Sequence, residues 1–232
     1  MSREAILTES YACGPHTRHF RLELVGRERF DFVPGQYIAL AQTLNGEERK
    51  RYYSIASPPR GDNCIELCLN FVEEGSFSHH LFGLPSGARL RLQGPFGAFL
   101  LHPEPHDALF VATGTGIAPI RSMVHHLLAR DWPHPAALLF GVRTERSILY
   151  REEFEELAGR RPNFQFVPTL SRPGEQWEGA TGYVQEHVLR LRNGAANAKV
   201  YVCGLRAMVN DVRGLLLSAG HDPDAILYEK YD

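Results

Sequence analysis

Ala108-Leu-Phe-Val-Ala112 is five apolar residues with no polar break, and Gly114-Thr-Gly-Ile-Ala-Pro119 follows at once. A strand that is apolar at every position is buried on both faces, the condition of a strand inside a parallel sheet covered by helices. Glycines after such a strand let the backbone turn sharply and approach a phosphate. Proline suits the first helical turn, where its missing N–H forfeits no bond. Strand, glycine turn and helix together read as the opening of a doubly wound α/β sheet. The turn is not the full G-x-G-x-x-G fingerprint, so alone it is a weak signal, with a plain tight strand-to-helix turn as the lesser reading in this context.

The chain beyond Pro119 keeps that rhythm. Helices are expected at 119–130, 149–159, 184–191 and 205–219, and strands at 136–142, 164–168, 199–203 and 225–228. The first hundred residues behave differently, as short strands at 5–11, 17–25, 37–41, 51–55, 64–72 and 89–93 separated by turn signals. Pro34-Gly35, Asn45-Gly46, Pro58-Pro59, Gly61-Asp62 and Gly94-Pro95 supply the turns, proline by fixing φ and glycine by allowing it to be positive. With one helix near 78–84, this part reads as a small six-stranded antiparallel β-barrel. Two domains are expected, 1–101 and 106–232, with 101–107 and its prolines 103 and 105 as the linker.

The 232 residues carry a formal charge of −2, with 11 basic against 12 acidic residues up to Pro105 and 14 against 15 beyond it. Neither half is basic enough for nucleic acid. No apolar run reaches about 18 residues, so no membrane span and no membrane partner are expected, and the expected location is cytoplasmic. Cys13, Cys64, Cys68 and Cys203 match neither a zinc ribbon nor an iron–sulfur loop. Neighbouring histidines such as His79-His80 and His125-His126 diverge on a helix, so no metal site is expected. Glu152-Glu153-x-Glu155-Glu156 reads as a solvated first helical turn.

Arg51-Tyr52-Tyr53-Ser54 is chemically denser than an ordinary strand. Arginine can fork onto a phosphate, tyrosine offers a flat face to a conjugated ring, and serine is a rotatable donor and acceptor. Arg51-x-Tyr53-Ser54, Gly75-x-x-Ser78, Gly94-Pro95-Phe96-Gly97, Gly114–Pro119, Cys203-Gly204 and Glu229-x-Tyr231 occur in that order. Together they resemble the ferredoxin–NADP reductase superfamily from about Pro34 onward. The resemblance implies an FAD-binding antiparallel barrel followed by an NAD(P)-binding α/β domain.

It also implies roles. Arg51 holds the flavin pyrophosphate, Tyr52 and Tyr53 belong to the flavin strand with Tyr53 against the isoalloxazine, and Ser54 bonds near flavin N5. Gly75, Ser76, Phe77 and Ser78 meet the pyrophosphate at a helix N-terminus, with His79 in reach of the phosphates. Cys68, Leu69 and Asn70 flank the cofactor, although Asn70 stands where members often carry a basic residue. Gly114, Thr115 and Gly116 form the pyridine-nucleotide phosphate turn, and Gly204 and Leu205 pass under the dinucleotide. Cys203 lies beside nicotinamide C4, with Glu229 and Tyr231 completing the catalytic set. Arg143 occupies the place where an acid would read a ribose 2′-OH, and Ser171, Arg172 and Tyr183 match contacts to an adenosine 2′-phosphate. NADP(H) is therefore expected, with NAD(H) the alternative.

The expected activity is that of a ferredoxin–NADP reductase-like flavoprotein, moving electrons between NAD(P)H and a one-electron acceptor protein. Its partner is ferredoxin, flavodoxin or an oxygenase component, and the chain is expected to be a monomer. Two alternatives stand beside it: an NAD(P)H:flavin oxidoreductase that reduces free flavin, and a non-catalytic electron-transfer subunit.

Overall fold

The computed structural model describes residues 2–26, 29–44, 46–130, 132–192 and 198–231. Their contacts divide into two units, the first ending at Leu101 and also taking Arg121–His126, the second comprising the rest.

The first unit is one antiparallel sheet of β1 (Ser2–Gly14), β2 (Thr17–Leu24), β3 (Tyr37–Leu44), β4 (Glu47–Ser54), β5 (Cys64–Asn70) and β6 (Arg89–Phe96), in the order β4-β3-β6-β1-β2-β5. Alternate residues Ile38 and Leu40, Ile65, Leu67 and Leu69, and Leu90 and Leu92 fill its core with Leu7, Phe20 and Leu22. The edges β4 and β5 meet at an Ile55–Leu67 bridge, which curls the sheet into a barrel. Helix α1 (Ser76–Phe82) adds Phe77 and Leu81 to that core. Strand β4 begins at Glu47, four residues ahead of the expected start. Glu47 to Tyr52 are all exposed, so no burial pattern marks them; pairing with β3, from Leu44–Glu47 to Tyr37–Ser54, defines the strand instead.

The second unit is a six-stranded parallel sheet, β10-β9-β8-β7-β11-β12, with helices between strands. Its strands are β7 (Ala108–Thr113), β8 (Ala136–Val142), β9 (Phe164–Leu170), β10 (Ala180–Thr181), β11 (Lys199–Leu205) and β12 (Ile226–Tyr231). The helices are α2 (Ile117–Leu128), α3 (Arg151–Arg160), α4 (Val184–Arg192) and α5 (Arg206–Ser218). The antiparallel barrel and doubly wound sheet expected from the sequence are both present. Strand β10 is only two residues long, too short to leave a pattern. The order reverses beside β7, so its carboxyl end lies at a topological switch point, where sheets of this kind bind ligands.

Residues 102–107 are not a free linker. His102 N–H donates to Tyr201 Oη at 3.0 Å, His106 Nε2 lies 3.0 Å from the same oxygen, and Lys199 N–H donates to Asp107 O at 2.9 Å. The segment is built onto β11 within the second unit. Among the described residues, no helix is long and apolar enough to cross a membrane.

Candidate active site

In the first unit the chemistry gathers at the seam between the edge strands β4 and β5. A strand alternates its faces, so Arg51 and Tyr53 lie on one side in register with core residues Leu40 and Ile38. Tyr52 lies on the other side, 65% exposed, its ring meeting that of Tyr37 edge-on at 5.8 Å. Strand alternation therefore separates Tyr52 from Arg51 and Tyr53. Burial pushes the Tyr53 hydroxyl up to about 12, with Arg51 pulling the other way, so it remains a neutral donor. Its ring packs 6.4 Å from that of Phe77 on α1. Arg51 is exposed; its Nη1 donates to Lys50 O at 2.8 Å, and no described carboxylate pairs with it. Ser54, 7% exposed, closes the strand opposite Tyr37.

Gly75 precedes α1, whose first turn has no side-chain cap and no acid. Ser76 is exposed there, whereas the Ser78 hydroxyl is engaged locally. It accepts from Val72 N–H at 3.1 Å and reaches the carbonyls of Val72 and Gly75 at 2.9 and 2.8 Å. His79 is likewise taken up, with Nε2 2.6 Å from Glu73 O. These two side chains build the turn. On β5, Cys68 and Leu69 are buried and Asn70 accepts from Thr17 Oγ1 at 2.7 Å. An unpaired guanidinium, a half-buried tyrosine ring and uncapped backbone N–H groups along an open seam fit the phosphates and conjugated ring of FAD.

Sequence reasoning missed the group behind this seam. Glu66 on β5 is 5% exposed and bound by Arg60 (2.7 Å) and Arg121 (2.8 Å), with His19 Nε2 at 4.0 Å. Burial would raise this carboxyl; the two arginines outweigh it and hold it down to about 2. Arg121 also donates to Ala56 O at 2.9 Å, while Ser57 Oγ accepts from Glu66 N–H at 3.0 Å. The segment just after Ser54 is thereby fixed. The available signal was one acid inside the apolar stretch Cys64-Ile-Glu-Leu-Cys-Leu69.

In the second unit the turn Gly114-Thr115-Gly116 leaves β7 at the switch point. A Cβ on Gly116 would stand 2.4 Å from Cys203 O, and one on Gly204 (φ +146°) 2.2 Å from Thr113 Oγ1. The turns after β7 and β11 are thus packed backbone to backbone, and Leu205 N–H reaches Thr113 Oγ1 at 3.4 Å. Leu205 itself is 63% exposed. Cys203 pairs in register with Glu229, and Leu205 with Tyr231. Complete burial and then the Glu229 charge push the Cys203 thiol well up, against a bond from the Tyr231 hydroxyl. Cys203 is therefore a neutral thiol that shapes its surroundings rather than a nucleophile.

Further along the same carboxyl edge, Arg172 N–H donates to Arg143 O (2.8 Å) and Ser171 N–H to Val142 O (3.1 Å). Tyr183, 66% exposed, comes directly after β10. From the glycine turn after β7 to Arg172 beyond β9 is two strand spacings, about 10 Å. The edge thus lines up backbone amides, two exposed guanidinium groups and an exposed ring, a donor set that fits a pyridine dinucleotide.

The Oxidoreductase FAD-binding domain family matches residues 4–100, and the Oxidoreductase NAD-binding domain family matches residues 110–214. The chain is 41% identical over 219 residues to ferredoxin–NADP reductase B of Sorangium cellulosum (strain So ce56), covering 91% of this chain and 90% of the relative. It is 33% identical over 238 residues to the propane 2-monooxygenase reductase component of Mycolicibacterium goodii, covering 97% of this chain and 67% of that protein. Other reductase components that it matches are longer still, the chain spanning 52% of one and 59% of another. Among solved structures, the Amycolatopsis cytochrome P450 reductase GcoB superposes with a TM-score of 0.87 at 27% identity, over 99% of this chain and 69% of GcoB. Two matched domains, in the order that the two sheets occupy, make this chain a member of the ferredoxin–NADP reductase superfamily.

Proposed function

We propose that this flavoprotein oxidoreductase draws on NADPH and delivers electrons to a small redox protein of the ferredoxin or flavodoxin kind. Bound FAD supplies two-electron acceptance from a pyridine nucleotide and one-electron release to an acceptor protein. The chain supplies position. Arg51 and the start of α1 hold phosphate, Tyr53 offers the ring face, and Ser54 is set in place by the segment that Glu66 anchors. In the second unit Gly116 and Gly204 bring backbone close to the dinucleotide, and Cys203 and Glu229 form the neutral thiol and acid beside the nicotinamide.

The carboxyl edge of the parallel sheet carries this reading: phosphate turn, thiol–acid pair and exposed guanidinium groups lie in dinucleotide order along neighbouring strands. A second reading, the reductase of an oxygenase system, is favoured by the relatives that bear that name. Parallel steady-state turnover with NADPH and NADH, first to ferricyanide and then to purified ferredoxin, flavodoxin and an oxygenase component, tests both. A yellow protein that keeps its FAD through gel filtration and prefers NADPH is expected. A colourless protein that saturates with free flavin as its substrate overturns the proposal.

A further inference from the structure

Glu145 is two residues from Arg143 and is the nearest acid to it in sequence, as Glu175 is to Arg172. Its charge is already taken. Arg151 Nη1 lies 2.5 Å from Glu145 Oε1, and Arg151 Nε donates to Glu155 Oε1 at 2.7 Å. The same guanidinium stands 5.7 Å from the centre of the Trp177 ring, and Trp177 Nε1–H donates to Ala180 O at 2.9 Å. One side chain therefore touches the turn after β8, the helix α3 and the loop between β9 and β10. The first of these carries Arg143, and the last carries Ser171 and Arg172.

Arg151 serves its helix through the i,i+4 pair with Glu155, but its place on the helix dipole is unfavourable. It is the first residue of α3, where the positive end of the dipole favours carboxylates, and Glu152 and Glu153 come next in that turn. Tyr150, just before it, has φ of 55°, a left-handed backbone that strains a bulky residue. A cation at the wrong helix end behind a strained residue makes sense if its work lies with Glu145 and the two loops. Arg143 and Arg172, by contrast, have no carboxylate partner among the described residues.

We propose that Arg151 is a positioning residue for coenzyme choice: it withholds Glu145 from Arg143 and pins both arginine-bearing loops, so that the edge stays cationic and selects NADPH over NADH. This rests on the reading of that edge as the adenosine end of the coenzyme. Released, Glu145 repels a 2′-phosphate, competes for Arg143, and offers the carboxylate that reads a ribose 2′-OH.

The holoenzyme is assayed with both coenzymes as wild type, Arg151→Ala, Glu145→Gln and the double variant, and adenosine 2′-monophosphate and 5′-monophosphate are titrated calorimetrically into each. Arg151→Ala is expected to lower the NADPH/NADH ratio of kcat/KM about tenfold through the KM for NADPH. It also weakens the 2′-monophosphate selectively. Adding Glu145→Gln restores most of both losses, which a merely structural role for Arg151 does not do. Glu145→Gln alone keeps or raises the ratio, a test that stands even if Arg151→Ala does not fold. An unchanged ratio in Arg151→Ala, a loss that Glu145→Gln does not rescue, or a tenfold fall in Glu145→Gln alone overturns the proposal. A wild type that binds the 2′-monophosphate no better than the 5′-monophosphate instead overturns the reading of the edge, and the proposal with it.

Discussion

With no exposed surface and Glu229 in register beside it, the Cys203 thiol stays protonated across the working pH range, so its contribution is volume and placement. Cys203→Ala is expected to slow the first flavin reduction in stopped flow by about tenfold to a hundredfold, the cost of a slightly misplaced reactant, with FAD occupancy unchanged. Arg51 works in the opposite regime: it is exposed and charged, with no described carboxylate paired to it. Arg51→Ala is expected to cost about 2 kcal/mol of cofactor binding, some thirtyfold in the FAD dissociation constant, read by fluorescence titration. Residue chemistry of this kind was visible in the motif Arg51-x-Tyr53-Ser54. The opposite facing of Tyr52 follows from strand alternation, whereas the local engagement of Ser78 and His79 depends on Val72 and Glu73 and was not legible in the residues alone.

Elements obey two different controls here. Buried strands such as β7 and β8 were legible because they carry unbroken apolar runs, and α5 because its apolar stripe repeats at helical spacing. The first half of β4 and the two-residue β10 were not, because hydrogen bonds to a neighbour define them and burial does not. The turns after β7 and β11 show how a glycine can be required by close backbone approach alone. A methyl group on Gly116 collides with the backbone of Cys203 rather than with a movable side chain. Gly116→Ala is expected to destabilise the protein by about 2 kcal/mol, measured by urea unfolding, and to raise the KM for NADPH more than it lowers kcat. Mid-helix Arg121 belongs to the same theme, since its guanidinium is committed to Glu66 and Ala56.

At the scale of the whole molecule the Glu66 group links stability to pH. A carboxyl held at about 2 against its ordinary 4.5 adds stability that is complete above 4.5 and lost as pH falls toward 2. Wild type is therefore expected to lose urea resistance between pH 5 and pH 2.5. Glu66→Gln starts about 3 kcal/mol lower at pH 7, because two arginines lose a buried partner, and its stability changes less over the same interval. The sequence by itself determined the two fold classes and their order, since periodicity and local turn chemistry are properties of contiguous residues. Only the tertiary structure decided that Glu66 is anchored by Arg60 and Arg121, that Cys203 is fully buried with Glu229 in register beside it, and that Arg151 occupies Glu145. Burial and ion pairing depend on which distant segments arrive at the same place, and spacing along one chain does not encode that arrival.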